Sequence, residues 1–481
     1  MPPLLRSILS IFSGKVARIL IGLAFTPILV RVVSQAQYGL YASVLSGFSI
    51  LTVLSKGGLF DATRKIVAEQ TNNSQETSVA ISTSLLISIV YGLLATALVF
   101  LGLQLRIVPS QYSLYIWFLM GAILFINVFT IVRGAFFGLQ QESVSEVLQI
   151  ARRLIYSTGA LLLAYIGYDV LGVFTAYTIS FWLLGILGIV VLTRYSSIGL
   201  PKWNDIATYG REIVAFGGYQ LLGGLSAMLL YRTDILLVEF FKGGTSTALY
   251  QSAIIPAEMI WFVPSVIQLA FLQHTASLWN SNEVDNINEN LQVGVKYAVL
   301  SLTLFGVGLF VLAKPFLTVY FGPEYVGAAT TLQILVLGTF LFGITRVVVP
   351  VFQATGWVRY TELITFGALV LNISLNVLFI PRYGIIGAGI GTGVSYIAIF
   401  VGNVVLWVYS PFDIVPLRWV GKLIMTQVGF ATAFVGIVGL VGVSPTVSLF
   451  VFPPLGLVLF LAVNIAAGYV PTQPAKSYLK N

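Results

Sequence analysis

The chain has 481 residues, 58% of them hydrophobic and 9% charged, with a formal net charge of +8, whereas a soluble domain carries about 25% charged residues. It has no cysteine and a single histidine, His274, which excludes disulfides, thiolate chemistry and any His-based metal site or triad within one chain. The basic residues are spread singly between apolar runs rather than gathered in a patch, so the charge points to a polytopic membrane protein and not to nucleic acid.

A membrane helix needs about 20 apolar residues. In chain order the sequence predicts fourteen: 12–33, 38–60, 78–103, 114–139, 147–167, 170–193, 211–238, 247–273, 291–313, 327–352, 360–381, 384–409, 416–441 and 446–469. Lys15 and Arg18 interrupt the first apolar run and no small-residue cleavage site follows, so it reads as a retained helix and not a signal peptide. Of the 25 Lys and Arg, five fall within spans and five (Arg31, Arg106, Lys242, Lys314, Arg382) lie opposite the N-terminus, leaving fifteen on its own side. The positive-inside rule then places both termini in the cytoplasm of a multi-pass protein of the cytoplasmic membrane. The longest loops, about 194–211 and 274–291, are too short for a folded extramembrane domain, so no ATPase module is expected.

The stretch YGIIGAGIGTGVSY (383–396) carries alternating glycines. Its G-x-G-x-G-x-G spacing, with no acid about 20 residues on, does not fit a dinucleotide loop. It matches YDVLGVFTAYTISF (168–181) without a gap: Tyr168 with Tyr383, Gly172 with Gly387, Ser180 with Ser395. Leu-Tyr-x-Ser recurs at Leu40 and Leu249, and Arg133 with Gln140 is echoed by Arg346 with Gln353. These pairs predict an all-α protein of two six-helix lobes, 1–210 and 211–410, related as a parallel pseudo-twofold repeat, followed by a helix pair and cytoplasmic tail at 411–481. In transporters built from parallel repeats the substrate site lies where the repeats meet. The glycines then serve close helix packing.

Fourteen spans, a six-plus-six repeat and a trailing pair resemble the oligosaccharide (Wzx-type) flippases of the multidrug/oligosaccharidyl-lipid/polysaccharide (MATE-like) exporter superfamily. The stretches RVVSQAQYGLYASVLSGFSIL (31–51), GGLFDATRKIVAE (57–69), TDILLVEFFKGGTSTALYQSA (233–253) and PRYGIIGAGIGTGVSY (381–396) carry the resemblance. It implies no enzyme but a transporter that moves a polyprenyl-(pyro)phosphate-linked oligosaccharide between leaflets by alternating access, for surface polysaccharide or glycoprotein glycan assembly. It also implies a cationic cavity for the headgroup. A cation-coupled multidrug antiporter of the same fold is the alternative. A polytopic polysaccharide polymerase or glycosyltransferase is the rival of another class. The expected partners are the lipid-linked saccharide, membrane lipids and glycan-assembly enzymes, around a monomer.

Ionisable residues inside spans are costly and mark candidate functional sites. The embedded cations are Lys15, Arg18, Arg133, Arg232 and Arg346. Arginine suits bidentate contact with phosphate oxygens, so Arg18 and Arg232 are expected to hold the headgroup, with Lys56 and Arg64 at the cytoplasmic mouth. The competing readings are that Lys15 and Arg18 snorkel to the interface and that Arg232 pairs with Asp234 or Glu239. Arg152 and Arg153 read as interfacial anchors. Asp234, Glu258, Asn372 and Asn376 are candidates for coupling to Na⁺ or H⁺, or else form an interhelical polar cluster. No cofactor and no metal centre are expected.

Overall fold

The computed structural model describes residues 3–413 and 417–470, with side chains from residue 10 onward except those of Gln273 and Leu417. The predicted tail beyond 470 lies outside the described residues. Ten helical stretches among the described residues are long and apolar enough to cross a membrane. Three exceed 50 residues, more than twice what one crossing needs, and two of these are Glu142–Leu192 and Val358–Tyr409. Each of these two is broken by a non-helical residue, Gly167 (φ 100°) and Gly384 (φ 59°) respectively. The chain is thus an all-α multi-pass membrane protein, and it divides into two compact units, Met1–Ala248 and Leu249–Asn481.

The first unit holds α1 (Pro3–Val32), α2 (Gln35–Lys56), α3 (Leu59–Glu69), α4 (Ser74–Gln104), α5 (Ser110–Gly138), α6 (Glu142–Leu163), α7 (Asp169–Leu192), the short α8 (Trp203–Asp205) and α9 (Arg211–Lys242). A capping box between Ser34 and Gln37 starts α2, and the Asn73 side chain starts α4 by accepting from Gln75 N at 3.1 Å. Helix α5 is the centre, with Ile123, Ile131, Val132 and Phe136 fully buried. It packs against α3, α4 and α7, while α1 packs against α6 and α9 against α2 and α3. The predicted span 38–60 is not one helix. Consecutive glycines at positive φ, Gly57 (53°) and Gly58 (70°), end α2 and start α3.

Helix α10 (Gly244–Met259) begins in the first unit and runs into the second. There follow α11 (Phe262–Asn280), α12 (Val284–Val311), the short α13 (Ala313–Phe316), α14 (Ala329–Ala354), α15 (Val358–Tyr409), α16 (Leu417–Leu440) and α17 (Pro445–Ala466). The predicted span 247–273 is also divided, between Met259 and Phe262. Pro264 falls in the first turn of α11, where its missing N–H leaves no bond unmade. Helix α14 is the centre of this unit and packs against α11, α12 and α15. The α16–α17 pair rests on α12 through a cluster that includes Leu300, Phe430, Phe434, Phe452 and Phe460.

Considered separately, the units repeat one another in detail. The centre of each, α5 or α14, touches the helices that match in order: α3 and α11, α4 and α12, α7 and the second half of α15. The matched residues Asp169 and Gly384 share a conformation that side chains rarely adopt, φ 47° ψ −139° and φ 59° ψ −136°. At the next matched pair, a side chain on Gly172 would crowd Leu163, and one on Gly387 would strike the backbone of Phe379. Both glycines let a helix fold back against the end of its predecessor. Ser180 and Ser395 each bond a carbonyl of the preceding turn at 2.7 Å. Tyr41 and Tyr250 reach hydroxyls of their own unit, Tyr156 at 3.0 Å and Thr392 at 3.1 Å.

The alternating glycines of 383–396 therefore serve packing. Besides Gly387, Gly391 faces Asn376, and Gly393 lies so close to Gly338 that a Cβ on Gly338 would meet its Cα at 2.6 Å. Gly387→Ala is expected to lower stability by about 1–3 kcal/mol, the cost of overpacking. Gly429→Ala, at an exposed glycine with nothing within 4 Å, is expected to raise it slightly through helix propensity. Thermal unfolding of the two purified variants checks the opposite signs.

Candidate functional site

Helix α1 presents Gly14, Arg18 and Gly22 to α6 at four-residue spacing, one face of a helix. A side chain on Gly14 would collide with the Glu146 carboxylate, and one on Gly22 would crowd Arg153 at 3.1 Å. These two gaps let the polar groups of α6 lie against α1. Glu146, the fifth residue of α6, has a side chain only 4% exposed. Its two oxygens go to different helices: Arg18 of α1 pairs with Oε2, and Arg133 of α5 lies 3.4 Å from Oε1. Arg133 also donates to Ser145 Oγ at 3.2 Å and stands over the Phe60 ring.

Three more cations surround this bridge. The Arg152 guanidinium lies 4.3 Å above Phe181, with its Nε buried and without a hydrogen bond. Arg153 lies over Tyr156 and Phe25. Lys56, the last residue of α2, is within electrostatic range of both Arg133 and Arg152. Among the described residues, Glu146 is the only acid within ion-pair distance of any of these five. Five positive charges against one negative charge leave an excess of four inside a membrane protein, where unpaired charge is expensive. Guanidinium forks from several helices are the arrangement that receives a multiply charged oxyanion.

Arg18 is half-buried and bridged to Glu146. Lys15 is also half-buried on α1. Arg152 and Arg153 are half-buried beside aromatic rings rather than standing as exposed anchors. Arg64 is more exposed and pairs with Asp61 at 3.2 Å. On α9, Arg232 is half-buried, and no hydrogen bond or ion pair of its side chain is present among the described residues, so it does not pair with Glu239. Glu239 instead accepts from Tyr112 at 2.8 Å and Thr247 at 2.7 Å. Asp234 is 1% exposed and accepts from its neighbour Ile235 N.

In the second unit, Arg346 donates to Gln268 at 3.3 Å and stands over Trp261 and Phe342. Asn372 and Asn376 are fully buried on one face of α15 and bonded to each other at 3.0 Å. Asn372 continues to Thr392 at 3.3 Å, which meets Tyr250. The Oδ1 of Asn376 is buried without a hydrogen-bond partner. Glu258 is half-buried on α10. No group of three or more His, Asp or Glu placed to hold a metal occurs among the described residues.

The sequence reading did not single out Glu146. A signal was nonetheless there: Ser145-Glu146-Val147-Leu148 and Thr361-Glu362-Leu363-Ile364 occupy the same fourth to seventh positions of α6 and α15. An acid at a fixed place in both repeats, inside apolar sequence, marks a position to examine.

Comparisons with known proteins decide the family. A sequence model described as polysaccharide biosynthesis protein matches residues 4–273, and one described as lipid II flippase MurJ matches residues 160–466. The chain belongs to the family of polysaccharide biosynthesis proteins and MurJ-type lipid II flippases. It is 23% identical over 415 residues to an uncharacterized membrane protein of Methanocaldococcus jannaschii, covering 79% of this chain and 77% of that one. It is 22% identical over 324 residues to the probable low-salt glycan biosynthesis flippase Agl15 of Haloferax volcanii, covering 66% of each. A solved lipid II flippase MurJ, in an inward closed conformation, shares its fold, with a TM-score of 0.75 at 14% identity over 96% of this chain and 98% of that one. This flippase is accordingly a transporter and not an enzyme. Thr392→Val, which cuts the link between Tyr250 and Asn372, is expected to cost about 1–3 kcal/mol for the polar groups left unpaired, read as a lower unfolding temperature.

Proposed function

We propose that this flippase moves a polyprenyl-(pyro)phosphate-linked oligosaccharide across the cytoplasmic membrane by alternating access, with both termini in the cytoplasm. The observation that carries the proposal is the buried excess of positive charge around Glu146 in the first unit. A lipid headgroup with two or more negative charges offsets a large part of that excess, and its phosphate oxygens match the donors of Arg18 and Arg133. A cationic drug would meet repulsion there, which sets aside the antiporter reading. The names of the relatives, a glycan biosynthesis flippase and a putative O-antigen transporter, support a glycan cargo. Arg232, half-buried and without an ion pair among the described residues, is a further headgroup contact in this reading, with Lys15 secondary. Arg64 stands at the cytoplasmic mouth.

Coupling to Na⁺ or H⁺ belongs to the same proposal. Asn372, Asn376 and Thr392 bring neutral oxygens together in the second unit, and the unpartnered Oδ1 of Asn376 has capacity to spare. Asp234 in the first unit and Glu258 in the second are the carboxylates proposed for coupling. The protein acts as a monomer that receives its cargo from glycan-assembly enzymes.

Two experiments test the proposal. Arg18→Ala and Arg152→Ala are each expected to reduce glycan export in a complementation assay by about tenfold or more, since a charge-assisted contact is worth about 1.5–3 kcal/mol. Export at the wild-type rate with normal protein abundance would overturn the headgroup role. The absence of cysteine allows a direct topology test. A cysteine placed at Ser74 is expected to be shielded from an impermeant thiol reagent in intact cells, and one at Ser110 to react.

A further inference from the structure

Glu146 has no task in the headgroup reading so far, and its placement is specific. It is the one acid, among the described residues, paired with any of the five cations, its two oxygens bridge arginines from two helices, and Gly14 leaves the space it fills. We propose that Glu146 is a built-in counter-ion that occupies the anion site of the empty carrier and is displaced by the phosphate groups of the cargo. This rests on the headgroup reading above and goes further, by naming a residue that sets the charge of the accepted ligand and resets the site after release.

The physical argument is one of charge balance. Oxygens Oε1 and Oε2 meet Arg133 and Arg18 as two oxygens of a phosphate would. A ligand that takes this place must offer these arginines more than one carboxylate does. A monoanion merely replaces Glu146 and gains nothing. A pyrophosphate brings two or three charges and also engages Arg152, whose Nε is buried without a hydrogen bond. Once the cargo leaves, Glu146 re-forms the bridge, so the empty carrier does not return with five unbalanced cations. The cations therefore favour pyrophosphate over monophosphate, while the carboxylate lowers the affinity for both to the point where only a multiply charged headgroup binds well, which favours release.

The test measures binding to the purified full chain in detergent, by calorimetry, with farnesyl pyrophosphate, farnesyl phosphate, inorganic pyrophosphate and farnesol as probes. Wild type is expected to bind farnesyl pyrophosphate more tightly than farnesyl phosphate. Glu146→Gln, which keeps the shape and removes the charge, is expected to bind both about tenfold more tightly. A folded Glu146→Gln that binds farnesyl pyrophosphate no more tightly than wild type overturns the counter-ion role and leaves the headgroup reading standing. If Glu146→Gln fails to fold, Glu146→Asp decides. Its shorter side chain loosens the bridge, so tighter binding supports the role and unchanged or weaker binding overturns it. Wild type that binds farnesol as well as farnesyl pyrophosphate overturns both readings. An equal gain with inorganic pyrophosphate supports the role and identifies the ligand chemistry as a free anion rather than a lipid.

Discussion

Positive charge inside a membrane protein must be matched, and the bridge from Arg18 through Glu146 to Arg133 is how the first unit begins to match it. Much of the local design follows from that bridge. Gly14 and Gly22 clear a face of α1 so that α6 can approach. Phe60, Phe181 and Tyr156 lay ring faces against guanidinium groups, which softens their transfer out of water. Even so, one carboxylate does not balance five cations. The remainder is the feature that a charged headgroup answers.

The two units share a backbone plan and differ in chemistry. The shared conformation of Asp169 and Gly384 shows how far the plan is kept, because that region of backbone space favours glycine and an aspartate holds it in the first unit. Arg133 and Arg346 are repeat partners, and both stand over aromatic rings. Yet Arg133 lies near Arg18, Arg152 and Lys56, while Arg346 donates to the neutral Gln268. The acid that matches Glu146 in helix position, Glu362, has no ion pair among the described residues. A duplicated scaffold thus carries a cluster of cations around one acid in one copy and, in the other, the neutral oxygens of Asn372, Asn376 and Thr392.

The all-helical, multi-pass character and the matched Gly, Tyr and Arg positions were legible in the sequence, because apolar length and local motifs survive in a linear reading, whereas ten and not fourteen stretches among the described residues are long and apolar enough to cross a membrane. The breaks within the second helix of each unit were not legible. Both hydrophobic runs continue straight through them, and only the Gly57–Gly58 pair and Pro264 mark where the backbone turns. The candidate cations were partly legible: Arg18 and Arg133 stand out against apolar neighbours. Arg152 and Arg153 did not, since two adjacent arginines near a span end read as an anchor. Glu146 escaped notice because it lies at the start of a helix, where acids are ordinary. Only the folded chain brings it against α1.

The central claim is that the charge of the headgroup, not the sugar or the lipid tail, is what this protein grips. The most direct measurement is translocation in proteoliposomes that contain this chain alone. Two fluorescent polyprenyl saccharides would be compared, one linked through pyrophosphate and one through a neutral ether. The account predicts that the pyrophosphate-linked lipid crosses without nucleotide while the neutral analogue stays in its leaflet. Equal translocation of the two would contradict it.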